Sequence, residues 1–361
     1  MKKIRLRWKG IALPSLLALM GLNSLTACGS RPYKDADIAE FADFINQPDV
    51  QLLDVRTTDE FAAGHLEGAM NIDVNDSAFI QKALVRLNPS RPVAVYCRSG
   101  RRSADAARKL AAEGYSVTNL SGGILAWQAE KMPTTTDPAE IDVFKTKSGK
   151  LVRFHALLHG SVRIEFDGKE IQIDPVHQLG DRRIDFTALP KADYIFVTHE
   201  HGDHLDPEAI SQLSSDQTRL IVNQRCADKL GKGEVMENGN RMKLADNMYI
   251  KAVPAYNTTE GHTQFHPKGR DNGYVLTLDG LCIYIAGDTE DIPEMRDIRN
   301  VDIAFMPCNQ PYTMTPAQLI RAARIVSPRV LFPYHYGQTD VTILPAQLEH
   351  DGIDVRIRHY E

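Results

Sequence analysis

Cysteine is scarce in this chain, with five in 361 residues. Cys28 stands near the amino terminus, and if Cys97 is a reactive thiol, only Cys226, Cys282 and Cys308 remain. One internal disulfide is then the most that can form, which excludes a disulfide-stapled fold. Basic clusters are also rare. Lys and Arg total 42 against 47 Asp and Glu, a net charge of −5, and no long basic run follows the first ten residues. Nothing here builds the phosphate-tracking surface of a nucleic-acid binder, so no nucleic acid is expected as a partner. Apolar runs never reach about 18 continuous residues, so no spanning helix is expected. No internal repeat is visible. What remains, at 43% hydrophobic and 25% charged residues, is an ordinary globular balance long enough for two domains or one large one.

The amino terminus reads as a targeting segment. Lys2, Lys3, Arg5, Arg7 and Lys9 precede an apolar stretch from Ile11 to Leu25, broken by Pro14, Ser15, Gly21, Asn23 and Ser24. This is the charge and length pattern of a secretory signal. Leu25-Thr26-Ala27-Cys28 then resembles the bacterial lipobox, which implies a lipoprotein signal over residues 1–28 and a lipid anchor on Cys28. Several acyl chains, at about 0.8 kcal/mol per buried CH₂, hold a protein firmly to a membrane. Gly29 follows where Asp would imply inner-membrane retention, so the expected location is the outer membrane, facing the periplasm.

The first folded unit is expected over residues 33–136. An apolar strand, Val50 to Asp54, precedes an amphipathic stretch around Phe61. A second strand, Val93 to Tyr96, runs into Cys97-Arg98-Ser99-Gly100-Arg101-Arg102, and a helical pattern from Ser103 to Glu113 places Ala104, Ala107, Leu110 and Ala111 on one face. Strand, short loop and helix put Cys97 in an anion nest, where backbone N–H groups, the helix dipole and guanidinium groups favour a thiolate or a persulfide. Leu53-Asp54-Val55-Arg56, Glu60-Phe61, Gly64 to Ala69, the Cys97 to Ser103 loop and Gly122-Gly123 ahead of Trp127 resemble the rhodanese family in order. The resemblance implies an α/β rhodanese domain with Cys97 as the nucleophile and Arg98, Ser99, Gly100, Arg101 and Arg102 as its persulfide loop. Its partner would be a sulfur donor such as thiosulfate or a persulfide. An inactive rhodanese-like binding module and a Cys-loop phosphatase are the neighbouring readings. His65, Asp54 and Arg56 read as scaffold.

Pro133-Thr134-Thr135-Thr136-Asp137-Pro138 forms a joint, and a second domain is expected over 137–361. Alternating Val162, Ile164, Phe166, a turn at Asp167-Gly168, then Ile171 and Ile173 predict a β-hairpin. Tyr274 to Leu278, Asp279-Gly280 and Leu281 to Ile285 predict another. Helical patterns fall at Pro207 to Leu213 and Pro316 to Val326. The strand Tyr194 to Thr198 ends in His199-Glu200-His201-Gly202-Asp203-His204. Three imidazoles and a carboxylate at a strand end are costly to bury unless a metal satisfies them, and these are ligands of Zn²⁺ or non-haem iron. Asp288 closes the strand Leu281 to Ala286, and His335 follows the apolar run Val330 to Phe332. One more ligand is needed between His204 and Asp288, and His262 and His266 both offer it.

This pattern resembles the metallo-β-lactamase superfamily from about Val152 onward, which implies an αββα sandwich. It also implies His199, His201 and the third histidine on one metal, with Asp203, His204 and His335 on the other and Asp288 between them. Water acidified at the metals would be the nucleophile, with Asp203 at the catalytic centre. Phe265-His266-Pro267-Lys268-Gly269, Ala255-Tyr256-Asn257, Gly273-Tyr274-Val275 and Tyr312 to Thr315 resemble a branch of metal-dependent hydrolases near the ascorbate-phosphate lactonases, which favours His266 over His262. His155, His159 and His177 read as surface or packing residues, with His159 nearest to a pocket role, and His350 and His359 as surface.

The expected function is a rhodanese-type sulfurtransferase joined to a hydrolase with two zinc ions per chain, acting on a small-molecule ester, lactone, thioester or phosphodiester. One alternative is an iron-dependent persulfide dioxygenase coupled to the rhodanese domain. Another is a non-catalytic, lipid-anchored binding protein with a structural metal.

Overall fold

A computed structural model of the protein describes residues 32–136 and 140–360; Cys28 and the signal segment 1–28 lie outside the described residues. Five parallel strands form the first sheet: β1 (Lys34–Ala36), β2 (Gln51–Asp54), β3 (Met70–Asn71), β4 (Val93–Tyr96) and β5 (Val117–Leu120), in the order β1-β5-β4-β2-β3. Helices α1 (Ile38–Ile45), α2 (Thr58–Ala62), α3 (Phe79–Arg86), α4 (Arg101–Ala112) and α5 (Gly123–Ala129) cover it. Successive side chains on a strand point to opposite faces, and both faces are buried. Leu53, Val93, Val95 and Val117 pack with Phe79, Ala83, Ala107 and Leu110. Leu52, Ala94, Tyr96 and Leu120 pack on the other side with Phe41, Ile124 and Trp127.

The helical face of α4 differs from the expected one. Its buried residues are Ser103, Ala106, Ala107 and Leu110, while Ala104 and Ala111 are only half-buried. A serine on the inner face obscures the apolar period, because its hydroxyl is turned toward the Cys97 sulfur.

The second domain is a sandwich. One seven-stranded sheet contains β6 (Glu140–Lys145), β7 (Leu151–Leu158), β8 (Ser161–Phe166) and β9 (Lys169–Ile173). After a small ribbon of β10 (Gln178–Leu179) and β11 (Arg182–Arg183), it is completed by β12 (Tyr194–Phe196), β13 (Arg219–Val222) and β14 (Glu234–Val235). The other sheet runs in chain order: β15 (Arg241–Ala245), β16 (Met248–Ala255), β17 (Asp271–Leu278), β18 (Leu281–Ile285), β19 (Ile303–Pro307), β20 (Val330–Tyr334) and β21 (Asp354–Val355). Phe154, Ile164, Phe196, Tyr274, Phe305 and Phe332 fill the space between the sheets. On the outer face of the first sheet, α6 (Pro207–Leu213) and α7 (Gln224–Leu230) cover Ile195, Val197 and Leu220. On the outer face of the second, α8 (Pro316–Val326) and α9 (Leu344–Leu348) cover Ala304, Met306 and Leu331. Both predicted hairpins form, around Asp167-Gly168 and Asp279-Gly280. The architecture is a rhodanese α/β domain followed by an αββα metallo-β-lactamase sandwich, as the sequence implies. Among the described residues no helix is long and apolar enough to cross a membrane.

The contacts that join the domains gather at the amino-terminal end of the rhodanese sheet. Arg91, just ahead of β4, faces the buried Asp142 at 3.8 Å, and Asp49, just ahead of β2, meets Arg356 at 3.4 Å. Asn88 donates to Asp354 at 2.6 Å, Arg86 pairs with Glu140, and Val85 packs on the outer helical layer of the sandwich. Asp142 is the hub. It accepts from Arg356 at 2.8 Å and from Arg358 at 2.7 and 2.8 Å. Burial by itself would raise its carboxyl pKa, but Arg358, Arg356 and Arg91 overcome that and hold it well below the ordinary range.

A carboxylate whose folded pKa is depressed stabilises the fold above its unfolded pKa, near 4, and loses that contribution as pH falls through the folded value. Removing it takes the shared carboxylate from two buried guanidinium groups, leaving Arg356 with Asp354 and Asp49 and Arg358 with Glu140 at 4.0 Å, which costs roughly 3 kcal/mol. Asp142→Asn is expected to lower the unfolding free energy at pH 7 by about that amount, with the deficit shrinking below about pH 4. Urea unfolding curves at both pH values check this, and a pH 7 loss under about 1 kcal/mol would contradict it.

Candidate functional site

The described residues carry two separate chemical centres. The first is at the carboxyl end of β4, where the chain leaves the sheet at Cys97 and turns through Gly100, at φ +87°, into α4. The Ser103 hydroxyl donates to Cys97 Sγ at 3.3 Å. Burial raises the thiol pKa, but the Ser103 hydroxyl and the N–H groups of Ser103, Ser99 and Gly100 outweigh it, so the pKa lies below the usual thiol value. The Gly122-Gly123 pair packs under the loop so closely that a Cβ on Gly123 would stand 2.4 Å from the Cys97 carbonyl oxygen.

Arg98, Ser99 and Arg101 are exposed around the loop. Arg102 lies within the electrostatic reach of the Cys97 thiolate and also has a carboxylate partner. Its guanidinium forks onto Glu60 at 2.7 and 2.6 Å, and that pairing holds the Glu60 carboxyl down at about 2. Glu60 also caps α2 with Thr57. Arg102 therefore ties α4 to α2 beside the thiol. His65 stacks on Phe61 at 3.6 Å, and the buried Asp54 and Arg56 pair with each other, all three within the scaffold.

The second centre lies between the two sheets of the sandwich, at strand ends. The turn after β12 presents His199, His201, Asp203 and His204. Asp288 follows β18, His335 follows β20, and His266 comes from the loop between β16 and β17. Asp288 is in the middle, with its oxygens 3.3 Å from the Nε2 atoms of His204, His266 and His335, and 3.9 Å from that of His199. His199 Nε2 and His201 Nδ1 approach to 3.1 Å, and Asp203 Oδ2 is 3.5 Å from His335 Nε2. His262 is elsewhere. Its ring faces the buried Glu290 at 3.4 Å, and Glu290 also accepts from the N–H and hydroxyl groups of Thr258 and Thr259.

The outer nitrogens of these rings are anchored. Asp174 Oδ2 is 2.8 Å from His204 Nδ1, Asp271 Oδ2 is 3.0 Å from His266 Nδ1, and Thr198 Oγ1 is 3.0 Å from His199 Nδ1. Such partners fix the tautomer and turn Nε2 toward the centre. Asp174, Asp271 and Thr198 were not singled out in the sequence; an Asp that ends an apolar strand, as at Ile173-Asp174, was the one available signal.

The donor set fits a metal. His204 Nε2, His335 Nε2 and Asp288 Oδ1 are buried with no hydrogen-bond partner, a costly condition unless a cation takes those lone pairs. Donors from His199, His201 and His266 lie within 4.8 Å of one another, and so do those from Asp203, His204 and His335. Burial pushes the His199 pKa well down, which keeps that ring neutral and able to donate a lone pair.

A fold of this kind with two adjoining His/Asp donor sets defines a metal-dependent hydrolase. A beta-lactamase superfamily domain matches residues 153–335, and a rhodanese-like domain matches residues 37–130. The UPF0173 metal-dependent hydrolase of Ligilactobacillus salivarius is 31% identical over 185 residues, spanning 50% of this chain and 82% of that one. The Thermococcus kodakarensis UPF0173 metal-dependent hydrolase is 29% identical over 195 residues, 52% of this chain and 85% of the relative. A Parabacteroides distasonis protein assigned to the metal-dependent hydrolases superposes with TM-score 0.60 at 52% identity, covering 62% of this chain and all of that one (100%). Igni18, a metallo hydrolase of Ignicoccus hospitalis, gives TM-score 0.50 at 25% identity over 57% of this chain and 94% of its own. The chain belongs to the beta-lactamase superfamily, among the UPF0173 metal-dependent hydrolases, and carries a rhodanese-like domain ahead of its hydrolase domain.

The thiols separate by environment. Burial raises Cys226, takes Cys282 to about 11 and Cys308 to about 12, whereas Cys97 is lowered. Thiolate absorbance near 240 nm is therefore expected to rise in a first step below the ordinary thiol range, and Cys97→Ser is expected to abolish that step. A first step that survives the substitution would contradict the assignment.

Proposed function

We propose that the protein is a bifunctional, lipid-anchored enzyme of the bacterial envelope: a rhodanese-type sulfurtransferase joined to a two-zinc hydrolase of an ester, lactone, thioester or phosphodiester. The observation that carries the hydrolase reading is Asp288, a buried carboxylate facing imidazoles of both donor sets with one oxygen left without a hydrogen bond. His199, His201 and His266 would hold one cation and Asp203, His204 and His335 the other, with Asp288 shared. Bound zinc supplies Lewis acidity and brings the pKa of a coordinated water to about 7. The chain's own part is to orient the rings through Asp174, Asp271 and Thr198. The loop of Tyr256 to His266, pinned by Glu290, presents His266 to the centre. Its resemblance to the lactonase-like branch supports esters and lactones among the substrates. The residues that would hold the cations offer nitrogen and oxygen donors without a thiolate, unlike the cysteine-rich sets common in purely structural zinc sites.

At the other centre, the Cys97 thiolate attacks the outer sulfur of thiosulfate. The sulfur–sulfur bond breaks, sulfite leaves with the electron pair, and the persulfide anion remains in the nest of N–H groups. An acceptor nucleophile such as cyanide then takes the sulfur and returns the thiolate. The anchor at Cys28 and an outer-membrane position facing the periplasm complete the proposal.

Elemental analysis of the soluble form beginning after Cys28 is expected to find about two zinc ions per chain. His266→Ala is expected to lose one ion together with metal-dependent ester hydrolysis, while His262→Ala keeps both ions. Cys97→Ser is expected to abolish thiosulfate-to-cyanide transfer and leave hydrolysis unchanged. About one iron per chain, with oxygen uptake on a glutathione persulfide, would replace this reading with the dioxygenase.

A further inference from the structure

The centre contains a histidine that neither the sequence pattern nor the family resemblance assigns to it. His159 follows β7 and opens the turn into β8. The ladder between these strands shifts register at Ala156/Leu158, and such an irregularity re-aims the side chains beside it. His159 sits at φ +55°, a left-handed conformation uncommon for a residue with a Cβ and one that clusters where function imposes it. Neighbouring elements hold it there. Its N–H donates to the Tyr360 carbonyl at 2.9 Å, and its own carbonyl accepts from the His335 N–H at 3.2 Å.

The ring is buried and lies against that of His335, with centroids 3.6 Å apart, and its Nε2 is 3.3 Å from Asp203 Oδ2. Donor atoms of His159, Asp203, His204 and His335 all lie within 4.8 Å of one another. Gly160 completes the arrangement, because a Cβ there would come within 2.8 Å of His204 Cε1 and displace that ring.

Resting on the two-metal reading above, we infer that His159 is a further protein ligand of the second metal position, beside Asp203, His204, His335 and an oxygen of Asp288. The two positions are then unequal. The second carries three imidazoles and two carboxylates, and the first carries three imidazoles and a share of Asp288. A richer donor set suits a cation of coordination number five or six, and the poorer set leaves the first position more open to substrate. The second ion is held more tightly as a result.

The test is His159→Gln, which keeps a hydrogen-bonding group facing Asp203 but removes the imidazole. In chelator competition the variant is expected to hold one of its two zinc ions at least about tenfold more weakly and the other unchanged. In the cobalt-substituted protein the visible absorption is expected to intensify, as the coordination number at one ion falls. Should the variant not fold, the cobalt-loaded wild type decides by proton magnetic resonance. Paramagnetically shifted imidazole signals are expected from His159, His199, His201, His204, His266 and His335, and absence of the His159 signals from that set overturns the inference. Wild-type protein that binds fewer than two ions overturns the two-metal reading itself. Wild type with two ions, beside a variant with unchanged affinities and an unchanged cobalt spectrum, overturns the role of His159 alone.

Discussion

Asp288 is a carboxylate with almost no exposure, set where six imidazoles from four segments of the sandwich converge. An anion in such a place is tolerated only if positive charge meets it, and His335 and His204 hold its pKa well down against the pull of burial. Much of the second domain serves that one position. β18 delivers the carboxylate, the chain leaving β12 and β20 delivers histidines, and the carboxylates of Asp174 and Asp271 brace two of the rings from behind. The parallel pairing of β18, β19 and β20 brings strand ends to a common edge, the usual place for a site in such a sheet.

The rhodanese domain is joined to this sandwich through its opposite end. Arg91 precedes β4, whose carboxyl end leads to the thiol, and Asp49 precedes β2, its parallel neighbour; five residues separate Arg91 from Cys97, about 20 Å if extended. The Cys97 loop and the contact with Asp142 thus lie at opposite ends of β4.

Local signals were the readable ones. The hairpins at Asp167-Gly168 and Asp279-Gly280, and α6 with Asp206 as its cap and Pro207 at its first position, follow from short-range chemistry. The run from His199 to His204 concentrates four donors within one turn, and the strand into Cys97 carries its own loop and helix. What the sequence left open depends on distance along the chain. His262 and His266 are equally good imidazoles on paper, and only the fold places Glu290 beside the first and Asp288 beside the second. His159 lies forty residues before the nearest other ligand, so no spacing rule reaches it. The buried cluster of Asp142 with Arg356 and Arg358 joins residues more than two hundred positions apart. On α4, the inward Ser103 broke the apolar period that would have shown which face was buried.

The central claim is that two cations share Asp288. Anomalous diffraction from crystals of metal-loaded protein, recorded on both sides of the zinc absorption edge, tests it most directly. The account predicts two zinc peaks, one bound by His199, His201 and His266 and the other by Asp203, His204 and His335, each within bonding distance of an Asp288 oxygen. A single peak in crystals grown with excess zinc, or two peaks of which either stands apart from Asp288, would contradict it.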